Sequence, residues 1–162
     1  MDLILMRHGI ADDPGPVNGF QDAHRALTSD GVRRMTIQAR GMGKLKLGDV
    51  DALFSSPLRR CVETARIVGE ALGLAAAVDE RLAPGMRFEE VAEVLDDYPQ
   101  AKRIILCGHQ PDLSYVTLDL TGGLAEFRKG SVAVIELDGL RRGGGCLQAL
   151  FTPVSLRAIG AA

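Results

Sequence analysis

Short apolar runs alternate with helix-period segments along this chain, and that alternation restricts the fold more than any other feature. Leu3 to Met6, "DALFSS" (51–56), "RIILCG" (103–108), "SVAVIELD" (131–138) and "CLQALF" (146–151) have strand length and polar or glycine-bearing bounds, and they predict five strands. Between them, Val32, Met35, Ile37, Ala39 and Met42 follow the turn "TSDG" at helical spacing, as do Leu58, Cys61, Val62, Ala65, Val68 and Leu72 further on. The second segment has the fuller signature: Ser56 fits an N-cap, Pro57 the first helical position and Gly73 the end. Helices are also expected at 88–97, stopped before Pro99, and at 111–121, stopped by Gly122 and Gly123. Strands alternating with helices of this length imply a three-layer α/β domain, with a mainly parallel central sheet covered on both faces. "GPVNGF" (15–20) reads as a loop and "RRGGG" (141–145) as a hairpin-type turn.

Such a sheet needs one sizeable core. A chain of 162 residues, 46% hydrophobic and 25% charged, supplies it within a single domain, 1–162. The net charge of −2 gives no global basic field, so nucleic-acid binding by phosphate neutralisation has no support and any anion site must be local. Cys61, Cys107 and Cys146 are odd in number, far apart and in apolar surroundings. They are expected to be buried free thiols of a reducing compartment, with neither a disulfide framework nor a zinc pattern. The N-terminal apolar run stops at Arg7, shorter than a signal h-region or a membrane span, which sets the expectation of a cytoplasmic protein without membrane attachment.

Three expected strands end in the same kind of side chain. Arg7 and His8 follow the first, "SSPLRR" follows the second, and His109 follows "RIILCG". In parallel sheets ligands sit beyond the carboxyl ends of the strands. If these strands are neighbours, two histidines and one or two arginines converge in one crevice, where guanidinium forks and imidazole donors match the oxygens of a phosphoryl group. Gly9 and Gly108 would allow close backbone approach there. His24, in a polar loop, reads as a surface histidine.

These blocks resemble those of the histidine phosphatase superfamily, the phosphoglycerate-mutase-like fold. "LMRHGIA" is similar to its RHG signature, "SSPLRRCVETA" (55–65) to its S-P-x-x-R-A-x-x-T-A block, and "GHQP" (108–111) to its second histidine block. With "RALTSDG" (25–31), "FRKGS" (127–131) and "ALFTP" (149–153) the resemblance covers nearly the whole chain, and within the superfamily it looks most like the SixA-type phosphohistidine phosphatases. The resemblance implies His8 as nucleophile, Arg7 and Arg60 as clamps on the phosphoryl oxygens, and His109 as the second pocket histidine, with Gly9 turning the backbone away from the phosphate. Arg59 competes with Arg60 by adjacency, but the family arginine stands four residues after the serine of S-P, which selects Arg60. Cys61 stands where the block has alanine. No metal or other cofactor is implied.

Larger members of the superfamily carry a glutamate soon after an R-L pair, and its acid phosphatases carry an aspartate directly after the second histidine. Here those places hold Pro84 and Gln110, neither of which donates a proton; Glu80 and Glu89 lie near enough in sequence to substitute, though they read as surface charges. An alkoxide needs protonation to leave, whereas an imidazole leaves readily near neutral pH. The sequence therefore favours a metal-independent phosphatase acting on phosphohistidine in a protein, such as a phosphotransfer domain or phosphocarrier. Two alternatives remain: a phosphomonoesterase for a small metabolite or for phosphoserine or phosphothreonine, and a non-catalytic phosphate-binding adaptor.

Overall fold

Leu3, Ile4, Leu5 and Met6 are all fully buried because β1 (Asp2–Arg7) runs through the middle of a six-stranded sheet. The computed structural model describes residues 1–45 and 49–162. Its other strands are β2 (Ala52–Ser55), β3 (Ala76–Val78), β4 (Arg103–Gly108), β5 (Val132–Leu137) and β6 (Gly145–Phe151), in the order β3-β2-β4-β1-β5-β6. The first four in that order are mutually parallel, β5 is antiparallel to β1, and β6 is antiparallel to β5.

A strand covered on both faces reads as an unbroken apolar run, and its two-residue period distributes that run between two cores. Leu3 and Leu5 of β1, with Ile104 and Leu106 of β4, pack against α3 (Phe88–Asp96) and α4 (Asp112–Thr121). Ile4 and Met6, with Ile105 and Cys107, face α1 (Ser29–Lys44), α2 (Arg59–Leu72) and α5 (Pro153–Ala161) on the other side. The architecture is thus the expected three-layer α/β arrangement with a mainly parallel sheet.

Local departures from expectation have identifiable causes. The sixth strand, β3, is three exposed residues at the sheet edge, with no buried face to leave an apolar pattern. Helix α5 was also not expected; Thr152 caps it by accepting from Ser155 N, and it lies directly on α1. That contact is close because of glycine: a Cβ on Gly41 would stand 2.2 Å from the Leu156 carbonyl oxygen, and one on Gly160 only 1.9 Å from that of Ile37. The turn "TSDG" proves to be the start of α1, with the Thr28 hydroxyl accepting from Gly31 N at 2.8 Å. Gly73 ends α2 in the left-handed conformation, φ 72°, as its position suggested.

Two expectations are corrected. Helix α2 starts later than expected, with Leu58 at the N-cap position, so Ser56 does not cap it and Pro57 is not its first residue; the serine hydroxyl is engaged elsewhere, as described below. Cys61 and Cys107 are buried free thiols, but Cys146 is exposed, because β6 is an edge strand with most of its residues open to solvent. Among the described residues no helix is long and apolar enough to cross a membrane.

Candidate active site

The register of three neighbouring strands builds the site. Arg7 of β1 pairs with Gly108 of β4, and Cys107 of β4 pairs with Ser55 of β2. The next residues, His8, His109 and Ser56, therefore leave the sheet side by side at its carboxyl edge. The His8 and His109 rings have centroids 5.5 Å apart. Helix α2 starts just beyond Ser56 and brings Arg60 over both rings from its first turn.

Hydrogen bonds fix each group. His8 Nδ1 lies 2.7 Å from Gly9 O, which leaves Nε2 toward the pocket, 3.3 Å from Arg60 Nε. The other Arg60 nitrogens donate to the Asp22 carbonyl at 2.8 Å and to Asp22 Oδ2 at 2.9 Å, and Nη2 is 3.4 Å from His109 Nδ1. His109 Nε2 lies 2.7 Å from Ser56 Oγ, with the Cys61 thiol beside it at 3.5 Å. Arg7 Nη1 donates to Phe127 O, whereas its Nε is buried and has no acceptor among the described residues. A buried donor left open in this way is suited to an incoming oxygen. Arg59, the adjacent competitor, points outward to Glu63 at 2.7 Å.

His8 is held uncharged. Burial is the main cause, and the charges of Arg60, His109 and Arg7 add to it, so that the pKa falls to about 3 despite the Gly9 hydrogen bond. Removal from water is a larger cause than the neighbouring cations.

His8, Arg7, Arg60 and His109 share a cavity of about 380 Å³. Gly9 is not in its lining. Its φ is not left-handed; the need for glycine is steric, since a Cβ would stand 2.6 Å from Met35 Cγ. Gly108 has no comparable constraint: its Cβ would make ordinary contact, 3.4 Å from Leu113. Pro84 and Gln110 both line the cavity, so the two positions where relatives carry an acid do face it. Glu80 and Glu89 do not; Glu89 lies outside, paired with Arg142 at 2.6 Å. His24 is exposed and outside the lining.

Sequence reasoning gave no site role to Asp22, Arg25, Gly85, Asp112 and Lys129, all of which line the cavity. Asp22 and Arg25 stand three apart in a short 3-10 turn and form an ion pair at 2.8 Å. The Arg25 hydrogen bond, helped by Arg60, holds the Asp22 carboxyl below its usual range, so it is an anion rather than a proton donor. Both oxygens of Asp112 are committed, to Gly85 N at 2.9 Å and to Arg87 at 2.8 Å, which ties the 84–87 loop to the start of α4. An aspartate one helical turn after His109, at the head of an apolar segment, was the available signal for it.

The family model of the histidine phosphatase superfamily (branch 1) matches residues 3–103, well over half of the chain. The chain belongs to the histidine phosphatase superfamily. Structures of the superfamily agree with the fold. The protein histidine phosphatase SixA complexed with tungstate is 25% identical over 96% of this chain and 99% of its own, with a TM-score of 0.84. A structure assigned to phosphohistidine phosphatase SixA of Agrobacterium tumefaciens is 20% identical, covering 94% and 97%, with a TM-score of 0.79. The mycobacterial glucosyl-3-phosphoglycerate phosphatase superposes less closely, at 19% identity, 91% and 97% coverage and a TM-score of 0.70. No curated protein matches the chain. Membership of this superfamily supports a phosphatase, and the fold is SixA-like.

Proposed function

We propose that this phosphatase removes the phosphoryl group from phosphohistidine in a protein, through a phosphohistidine intermediate on His8. The observation that carries the reading is the pairing of an uncharged, oriented His8 with a pocket whose two acid positions are Pro84 and Gln110. The lone pair of His8 Nε2 attacks phosphorus, a new P–N bond forms, and the P–N bond of a substrate imidazole protonated at its other nitrogen breaks, the electron pair leaving on neutral imidazole. Water then attacks the enzyme phosphohistidine, releasing phosphate and restoring His8. Arg7 and Arg60 draw off charge from the phosphoryl oxygens, so positive charge is available in the pocket without a metal ion. A Ser56 hydroxyl donating to His109 Nε2 would leave Nδ1 to direct a proton at a phosphoryl oxygen. A phosphoramidate leaving group needs little help from an acid, which is what this lining provides.

The expected substrate protein is a phosphotransfer domain or phosphocarrier, in the cytoplasm. The test is turnover of a histidine-phosphorylated phosphotransfer domain. The wild type should release phosphate, with EDTA having no effect, and His8→Ala should lose essentially all turnover. Turnover surviving in His8→Ala would overturn the nucleophile. Faster hydrolysis of sugar or seryl phosphates than of the phosphorylated domain would instead select a phosphomonoesterase, the activity class of the less similar neighbours.

A further inference from the structure

Beside the pocket at His8 lies a second cavity, of about 480 Å³, that the proposed reaction does not use. Arg7 and Lys129 line both, so the two are continuous past the end of β1. Its other walls bring in Arg34 from α1, Arg128 from the segment before β5, and Arg157 from α5. Among the described residues, five cations therefore face one cleft, and its lining contains no aspartate or glutamate. Arg34 is paired with Asp30, and Glu126 acts on Arg7 from outside the lining. Among the described residues, Arg128, Lys129 and Arg157 have no carboxylate partner. In a chain of net charge −2 this is a strongly local concentration of positive charge.

Gln38 lines the cleft and is only 2% exposed; its Oε1 lies against Gly130 and, among the described residues, has no hydrogen-bond donor. Val154, 66% exposed in the first turn of α5, adds an apolar lip.

We propose that this cleft binds an acidic segment of the substrate protein, whose carboxylates meet Arg128, Lys129 and Arg157 while its phosphohistidine enters the pocket at His8. The inference rests on the protein-substrate reading above and adds how the substrate is chosen. Complementary charge beside a reaction site raises encounter rate and selects partners, and its effect falls with salt. The occupant spans both cavities, which a small phosphorylated metabolite does not.

The test uses the double variant Arg128→Glu/Arg157→Glu, whose side chains take no part in the proposed chemistry. A fluorescein-labelled, glutamate-rich, phosphate-free peptide should bind the wild type saturably and more weakly as salt rises. Its affinity for the variant should be about tenfold lower or less still. With a histidine-phosphorylated phosphotransfer domain, KM should rise about tenfold in the variant, while kcat and the hydrolysis of phosphoramidate stay unchanged. Superimposable titrations of wild type and variant, or equal KM values, would overturn the cleft. A wild type that binds the peptide but releases no phosphate from the phosphorylated domain would sink the proposed substrate and leave the acidic-peptide site standing.

Discussion

The Nδ1 of His8 lies 2.7 Å from the carbonyl oxygen of Gly9, its own chain neighbour, and this bond decides which ring nitrogen faces the pocket. It assigns the ring proton to Nδ1 and the lone pair to Nε2. Because the acceptor is the backbone carbonyl of the next residue, every substrate meets the same tautomer.

With its pKa lowered to about 3, His8 should stay neutral across the working range. Its ring ¹⁵N shifts should titrate with a midpoint near 3 rather than near 6.5. The unfolded chain binds this proton below about pH 6.5 and the native state does not, so stability is fully present above that pH and is lost progressively down to about 3. Urea midpoints should accordingly fall less between pH 7 and pH 5 in His8→Gln than in the wild type. An identical fall in both would show that His8 is not the group.

Ser56 acts through His109. Removing its hydroxyl in Ser56→Ala leaves Nε2 without the partner now 2.7 Å away. The loss of one such bond should lower kcat by about three- to tenfold with KM little changed. Ser56→Thr keeps a hydroxyl there and should recover most of the rate. A purely structural role would lower the melting temperature of both variants without that recovery.

Asp22 places a carboxylate oxygen 2.9 Å from Arg60 Nη2, where an incoming phosphoryl group also seeks a donor. Two anions about 4 Å apart repel by about 1 kcal/mol in water. Asp22→Asn keeps an oxygen acceptor for Arg60 and removes the charge, so phosphate or tungstate should inhibit about five times more strongly. Weaker inhibition would mean that the carboxylate mainly holds Arg60 in place.

The contact between α1 and α5 leaves no room for a side chain, since a Cβ at Gly41 would meet the Leu156 carbonyl oxygen at 2.2 Å. Backbone cannot step aside as a side chain tip can, and Gly41→Ala should destabilise the fold by about 1–3 kcal/mol. Chemical denaturation should show this as a lower midpoint, and an unchanged midpoint would mean that the helices separate without cost.

Much of the site was legible locally. Arg7, His8, Arg60 and His109 each stand at a strand end or in a first helical turn, and the apolar runs of β1, β4 and β5 mark strands buried on both faces. The edge strand β3 was not legible, because exposed alanines leave no periodicity. The role of Ser56 was misread for a related reason: a serine ahead of a helix looks like a cap until its real partner is known, and His109 is 53 residues away.

By itself the sequence determined the strands β1, β2, β4, β5 and β6, the helices α1 to α4, and which side chains end up at strand termini, since these follow from periods of two and 3.6 residues along the chain. Only the tertiary structure decided what those termini meet. The order β2-β4-β1 sets Ser56, His109 and His8 in one row, and the folding of the 22–25 turn onto α2 adds Asp22 and Arg25 to Arg60. The physical reason is that hydrogen bonding and charge act through space over a few ångströms, while neighbours across this sheet are tens of residues apart in sequence.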